Sequence, residues 1–286
     1  GINRHNNSLI IFDRFALENA NMVVFAKSGA GKSYAVKLEV LRTMMIGTDV
    51  IIIDPEAEYK HLADAVGGTY LNVSLNSQSR INPFDLPAGL EGEDPGDILR
   101  SAVIGLLGLM NLLLGKLDPT EEALMDKAIW QTYQKKDITE RSDFKTVSYP
   151  TMDDLLEILR GTVGAEGLAQ RLTKFTEGTF AGLFNQQTNV VLANQLVVFS
   201  IRDLEDQLRP IAMYIILNHI WNVVRSELKK RVLVLDEGRV LERGTPAELL
   251  ANKSLYAAFA AEQSAERELE DLELDVLRGA TRILSQ

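Results

Sequence analysis

Cysteine is absent from the sequence, which excludes a disulfide framework and any thiolate metal site. Histidine is scarce as well, and the 3 that are present, His5, His61 and His219, are too scattered to predict a metal cluster. The absence of cysteine suits a protein that works in the reducing cytosol.

Long hydrophobic runs are also lacking. The most apolar stretch, residues 102–114, is shorter than the ~20 residues that a membrane-spanning helix requires, and Gly105 and Gly108 interrupt it. We therefore expect a buried helix here and no integral membrane segment. The chain begins at Gly1 with neither a methionine nor a hydrophobic leader, which indicates an excised domain whose targeting information lies elsewhere.

The chain carries no overall basic charge. It has 30 basic and 40 acidic side chains and a formal net charge of -10. Proteins whose main ligand is nucleic acid usually show a basic field, so this balance argues against that class. ATP binding needs only local geometry and is compatible with it. With 286 residues, of which 46% are hydrophobic, the chain can bury one major domain with an insertion.

Apolar strands and amphipathic helices alternate in the first part of the sequence. Residues 21–25 are predicted to form a strand, residues 31–45 a helix, and residues 50–54, with the sequence VIIID, a second buried strand. This βαβ pattern predicts a parallel sheet whose ligands lie beyond the carboxyl ends of the strands.

Helical patterns then replace the strand signals. Strand signals return at residues 190–193, 196–201 and 231–236, with a long helix predicted at 209–229. The sequence therefore predicts an α/β fold with a mainly parallel sheet. Its predicted parts are a core formed by residues 1–95 and 186–237, a helical insertion at 96–185, and a short hairpin and helical tail at 238–286.

The sharpest chemical signal is SGAGKS, which lies between the predicted first strand and first helix. It matches the P-loop pattern GxxxxGK(S/T), in which backbone amides and a helix N-terminus cradle phosphates, except that Ala26 replaces the first glycine. In that pattern the lysine reaches the β- and γ-phosphates and the hydroxyl binds magnesium. The predicted nucleotide-binding residues are Lys27, Ser28, Gly29, Ala30, Gly31, Lys32, Ser33 and Tyr34.

A pair of acids, Asp236 and Glu237, lies at the end of the apolar segment VLVLD. In P-loop ATPases an acid at this strand end supports hydrated magnesium, and a following glutamate orients the attacking water. In a second interpretation Glu237 and Gly238 form the two-residue turn of a hairpin, and neither carboxylate is catalytic. We favour the first, with Ser33 and Asp236 on the metal and Lys32 and Glu237 as catalytic residues.

Taken together, these motifs resemble the type IV secretion ATPases. The segments SGAGKSY, IIIDPEAEYK, INPFDLP and LVLDE follow one another as in that family, and the similarity spans residues 1–237. The resemblance implies a RecA-like P-loop NTPase that uses ATP and Mg²⁺ and assembles as a homo-hexamer. It also implies a cytoplasmic motor, peripheral to the bacterial inner membrane, that acts with other secretion components on a DNA or protein substrate.

Two of these segments contain additional candidate residues. Asp54, Glu56 and Glu58 match the acidic second-strand motif. Asp54 lies at the phosphate end of the predicted sheet and could place water or magnesium, while a solvated acidic loop is an equal alternative. The Asn-Pro-Phe segment at 82–84 either shapes a loop near the nucleotide or forms an ordinary turn.

After Glu237 the resemblance ends. Residues 232–263 instead resemble the C-terminal end of an ABC transporter ATPase, so we hypothesise a hybrid or fusion chain. The segment TPAE, residues 245–248, predicts a helix start with a capping box. Residues 262–284 can form an acidic amphipathic helix, which either binds a partner helix or packs on its own domain with a solvated face.

Three classes of function remain open at this point. The leading one is an ATP-driven motor for secretion, conjugative transfer or channel assembly. A DNA translocase of the HerA/FtsK type shares the P-loop and the hexameric plan, and would show strongly salt-dependent DNA binding. The third is a nucleotide-binding module with little turnover, because the arginine and sensor elements that the resemblance implies after Glu237 are missing and each stabilises charge on the transferred phosphate.

Overall fold

Four parallel strands form the sheet in the part of the chain that the computed structural model describes, which is residues 2–8, 13–17, 20–27, 29–88, 93–178, 180–227 and 229–236. The strands are β1 (Asp49–Asp54), β2 (Thr69–Asn72), β3 (Leu196–Ser200) and β4 (Arg231–Leu235). Their order across the sheet is β2-β3-β1-β4, and every neighbouring pair is parallel. The predicted α/β fold with a parallel sheet is confirmed.

The central strands β1 and β3 are buried along nearly their whole length. Alternate side chains of β1 enter two separate apolar clusters, with Ile51 and Ile53 in the larger and Val50 and Ile52 in the smaller. A strand buried on both faces reads as a continuous apolar run, which is why VIIID was recognisable in the sequence. Since all strands are parallel, β1 ends at Asp54 on the same edge at which β4 ends next to Asp236.

The helices fall into two groups along the chain. Helices α1 (Lys32–Met45) and α2 (Lys60–Val66) contact the sheet strands directly, and α8 (Arg209–Ser226) shares the larger core cluster with β1 and β3. The other α-helices lie in sequence between β2 and β3. The predicted long helix at 209–229 is present but ends earlier, at Ser226. In the described ranges the helices are a 3₁₀ turn at Arg14–Ala16, α1 (Lys32–Met45), α2 (Lys60–Val66), α3 (Pro95–Leu114), α4 (Pro119–Lys135), α5 (Met152–Arg160), α6 (Glu166–Thr176), α7 (Ala181–Phe184) and α8 (Arg209–Ser226).

Aspartate-proline pairs start α3 and α4. The Asp94 carboxylate accepts a hydrogen bond from the Gly96 N–H at 2.8 Å, and the Asp118 carboxylate accepts from the N–H groups of Thr120 and Glu121. Proline follows each aspartate, where its fixed φ suits the first helical turn and its missing N–H is not needed. These local signals fix where the two helices begin.

Helix α3 forms where the sequence predicts a buried helix. It spans 20 residues and contains an 18-residue window with a mean hydropathy of 1.7, so by length and composition alone it could cross a membrane. Its buried side, which includes Leu99, Val103, Leu106 and Met110, instead packs in the larger core cluster, and the helix contacts α4, α6 and α8. The opposite side exposes Ile104 by 71%. The predicted buried helix is therefore formed, with two apolar residues, Ile104 and Leu112, left exposed.

Two predicted strands, at residues 21–25 and 190–193, are wrong. Neither segment has regular secondary structure, and neither joins the sheet. Isolated extended segments are not stable without ladder hydrogen bonds to a neighbour, so apolar composition alone does not produce a strand. The side chains of 21–25 stay exposed, by 74% at Val23 and 91% at Phe25.

The predicted tail, residues 238–286, lies outside the described residues. The hairpin at Glu237 and Gly238, the capping box at 245–248 and the terminal amphipathic helix therefore stay predictions. The resemblance of residues 232–263 to an ABC transporter ATPase and the hybrid origin of the chain stay predictions as well.

Candidate functional site

The glycine loop lies immediately before α1. Gly29 and Gly31 have positive φ values of 76° and 91°, a region that strains residues with a Cβ atom. The Ala30 N–H donates to the Lys27 carbonyl at 3.0 Å, which closes the turn. Gly31 is the N-cap of α1 and has no side chain to cap it, so the first amides of the helix remain available to an anion. Ser28, predicted in the same loop, lies outside the described residues.

Lys32 and Asp236 form the central ion pair of the site. Lys32 is the first residue of α1 and Asp236 follows β4, and the Lys32 Nζ and Asp236 Oδ1 atoms are 2.5 Å apart. The side chains are 32% and 13% exposed. Each charge neutralises the other, so a phosphate that binds at the loop must compete with Asp236 for Lys32. The structure thus brings together two residues that the sequence predicted from separate motifs.

Asp236 is fixed by two further hydrogen bonds. Its backbone N–H donates to the Ile53 carbonyl at 3.2 Å, which extends the pairing of β4 with β1. The hydroxyl of Tyr59 donates to Asp236 Oδ2 at 3.2 Å. Burial, and after it the charge of Asp236, raises the pKa of Tyr59 well above the usual value, so Tyr59 is a neutral donor. No residue pattern in the sequence predicted a role for Tyr59.

Asp54 is the last residue of β1 and binds the backbone of the loop that leads to α2. It is fully buried, and its carboxylate accepts hydrogen bonds from the N–H groups of Glu58 at 3.1 Å and Tyr59 at 2.9 Å. A solvated acidic loop is therefore the wrong description of Asp54. It does fit Glu56 and Glu58, which are exposed, and the Glu58 carboxylate lies 3.9 Å from the Lys37 ammonium. Asp54 fixes the path of the chain that brings Tyr59 to Asp236.

The remaining predicted site residues are placed differently. Ser33 is the second residue of α1 and is half-buried, whereas Tyr34 is 74% exposed. Glu237, the predicted catalytic base, lies outside the described residues. Within the described ranges no cluster of three or more His, Cys, Asp or Glu side chains forms a separate metal site. The hydroxyl of Ser33 and the carboxylate of Asp236 are hard oxygen donors, which fit Mg²⁺ bound together with nucleotide phosphates.

The Asn-Pro-Phe segment forms a turn between the core and the helices that precede β3. The side-chain oxygen of Asn82 accepts from the Phe84 N–H at 3.1 Å, as in an Asx turn. The Asn82 amide donates to the Pro150 carbonyl at 2.8 Å, and the Tyr133 hydroxyl donates to the Phe84 carbonyl at 3.0 Å. Through these hydrogen bonds the turn at 82–84 connects α4 and the segment before α5 to the core.

Asp85, the next residue, has a carboxyl group with a shifted pKa. Burial raises the pKa from 3.8 to about 6, although the hydrogen bond of the Thr188 side chain lowers it. Burial and then the Asp85 charge raise the pKa of Tyr149 to about 12. The folded protein therefore holds the Asp85 proton more tightly than the unfolded chain does. The stabilisation that this one group contributes is complete below its ordinary pKa of 3.8 and is lost as the pH rises through about 6.

Replacing Asp85 by asparagine should therefore stabilise the protein above neutral pH. The asparagine amide is neutral, and its oxygen can still accept a hydrogen bond from Thr188. The substitution therefore removes the loss of folding free energy, about 2–3 kcal/mol, that ionisation of the buried carboxyl group causes. Denaturant unfolding should show this gain at about pH 8 and roughly half of it at about pH 5.

The variant Asp64→Asn, which changes an exposed carboxylate on α2, reports the effect of the same substitution at the surface. An equal gain for Asp85→Asn at both pH values would contradict the explanation from a buried carboxyl group.

Known proteins resemble this chain in sequence and in structure. The chain matches the TraG P-loop domain family over residues 10–243. It is 26% identical over 241 residues to Protein TraC of Escherichia coli (strain K12), a match that covers 77% of this chain and 25% of TraC. It is similar to the solved structure of VirB4 of Thermoanaerobacter pseudethanolicus, with a TM-score of 0.72 and 30% identity over 82% of this chain and 65% of that one. The chain thus spans a part of each relative.

The family match contains the glycine loop, the acidic segment after β1 and the acids after β4. The structural match with VirB4 confirms the predicted RecA-like P-loop fold. The family implies nucleotide binding, and the predicted membership of a P-loop ATPase family is confirmed. The chain belongs to the TraG P-loop domain family of type IV secretion ATPases.

Proposed function

We propose that this chain is the motor domain of a type IV secretion system, which binds Mg-ATP at the glycine loop and hydrolyses it to energise conjugative transfer, secretion or channel assembly. The observation that carries the proposal is the 2.5 Å ion pair between Lys32 and Asp236. It joins a phosphate-binding lysine at a helix N-terminus to a carboxylate at the carboxyl edge of a parallel sheet, where such sheets bind their ligands.

The mechanism follows from the positions of these groups. The amides of residues 29–33 would bind the phosphates. Lys32 would break its ion pair with Asp236 and would then stabilise charge on the γ-phosphate oxygens. Ser33 and Asp236 would hold Mg²⁺, which when bound supplies positive charge between the phosphates. Glu237 would orient the water for in-line attack, and the freed γ-phosphate would leave as inorganic phosphate.

We also propose an oligomeric state and a cellular location for the motor. A homo-hexamer at the cytoplasmic face of the inner membrane, in contact with other secretion components, fits the family to which the chain belongs. In such an assembly a neighbouring subunit supplies further positive charge to the γ-phosphate. Turnover per chain then depends on the protein concentration, because each site is complete only at a subunit interface.

Measurement of Mg-ATP hydrolysis over a wide range of protein concentrations tests this proposal. We expect turnover per chain to require Mg²⁺ and to rise with concentration. ATP binding without turnover at every concentration would reduce the function to nucleotide binding, and absence of binding would contradict the proposed site. Stimulation by DNA, lost steeply with added salt, would instead assign the motor to DNA translocation.

A further inference from the structure

Two different donors bind the two oxygens of the Asp236 carboxylate. Lys32 Nζ lies 2.5 Å from Oδ1, and the Tyr59 hydroxyl lies 3.2 Å from Oδ2. Lys32 is a long side chain that must move if it is to bind phosphate. We propose that Tyr59 is a positioning residue, which keeps the Asp236 carboxylate in its metal-binding orientation once Lys32 has moved to the nucleotide. This inference rests on the proposed function of the site.

Tyr59 is fixed more firmly than the lysine with which it shares the carboxylate. Its side chain is fully buried in the smaller apolar cluster, whereas the Lys32 side chain is 32% exposed. Its backbone N–H donates to the buried Asp54 carboxylate at 2.9 Å, and the Lys37 ammonium lies 5.2 Å from the centroid of its ring. The hydroxyl therefore occupies a position set by the core.

The division of the two oxygens has a functional consequence. When Lys32 moves to the phosphates, Oδ1 loses its partner and becomes available to Mg²⁺ or to a water of its shell. The Tyr59 hydroxyl carries no charge, so it orients Oδ2 without competing as a cation for the site. Without this hydrogen bond the carboxylate can rotate, and the metal must restrict that rotation when it binds.

The variant Tyr59→Phe tests the inference, because it removes one oxygen atom and retains the buried ring. We expect the Mg²⁺ concentration for half-maximal binding of a fluorescent ATP analogue to rise about tenfold, as for other residues that orient a metal ligand. Binding of the same analogue in EDTA should be unchanged. Electron paramagnetic resonance of Mn²⁺ with ADP should show the same loss directly as weaker metal binding.

The variant Tyr133→Phe is the matched control. Tyr133 is also fully buried, and its hydroxyl donates to the Phe84 carbonyl at 3.0 Å in another part of the core. We expect this variant to keep the wild-type Mg²⁺ dependence. An equal change in both variants would show a general effect of losing a buried hydroxyl and would overturn the inference.

A double-mutant cycle with Asp236→Asn gives a second measurement. In that background Tyr59→Phe should have no further effect on Mn²⁺ binding, because the carboxylate on which the hydroxyl acts is gone. Additive effects would overturn the inference. A wild-type chain that binds no Mg-nucleotide would refute the proposed function and this inference together, whereas normal binding with an unchanged Tyr59→Phe variant would refute this inference alone.

Discussion

Replacing Lys32 by alanine is expected to weaken Mg-ATP binding by a factor on the order of 10–100 and to abolish turnover, because hydrogen bonds to charged groups contribute about 1.5–3 kcal/mol. Folding should be nearly unaffected. The ion pair that the substitution removes is partly exposed, and such pairs contribute about 1 kcal/mol or less. Titration with a fluorescent ATP analogue, phosphate release and thermal unfolding measure the three quantities separately.

Two companion variants sharpen this experiment. Lys116→Ala removes an exposed lysine from the segment between α3 and α4 and should leave nucleotide affinity and turnover unchanged. Glu237→Gln should retain Mg-ATP binding and lose turnover if Glu237 is the catalytic base. Wild-type affinity in the Lys32→Ala variant would refute the proposed phosphate cradle.

Replacing Phe84 by alanine is expected to lower the free energy of unfolding by about 3–5 kcal/mol, a large part of the stability of an ordinary domain. The side chain is fully buried, and its ring lies edge-on to Tyr133 with 5.8 Å between the centroids. The neighbouring backbone is held by the hydrogen bonds of Asn82 and Tyr133, so the cavity cannot close by local collapse. Urea unfolding of the wild type and the variant, fitted with one common denaturant slope, measures the change in the free energy of unfolding.

Phe25→Ala is the matched control for this substitution. Phe25 is 91% exposed, so its truncation should change stability by no more than about 0.5 kcal/mol. If Phe84→Ala lowers the free energy of unfolding by less than about 1 kcal/mol, neighbouring groups have moved to fill the cavity, and the turn at 82–84 is not rigid.

The sequence revealed those parts of the fold whose signals are local. Strands β1 and β3 are apolar runs because the centre of a parallel sheet is buried on both faces, and β4 at the end of the strand order is an apolar run of the same kind although two of its leucines are exposed. Residues 21–25 and 190–193 have the same composition without forming strands. A strand forms only beside a neighbouring strand with which it can make hydrogen bonds, and the sequence of one segment does not show which other segment that is.

The same distinction applies to the site. Lys32 follows a glycine loop and Asp236 ends an apolar run, so each could be recognised alone. The contact of Asp236 with Tyr59 depends on the register of β4 on β1 and on the path of the loop after Asp54, in which Ala57 has a positive φ of 58°. Such a path follows from tertiary contacts and not from a pattern of residue types.

Strand β4 lies at one end of the strand order, so within the described ranges only one of its two edges is paired. Leu233 and Leu235 on this strand are 41% and 48% exposed. An unpaired strand edge beside exposed leucines can pair with an extended segment of another chain, which is the usual beginning of edge-to-edge aggregation. Light scattering alongside any concentration series therefore becomes necessary, since it distinguishes the ordered rings of a motor from the open-ended growth of a precipitate.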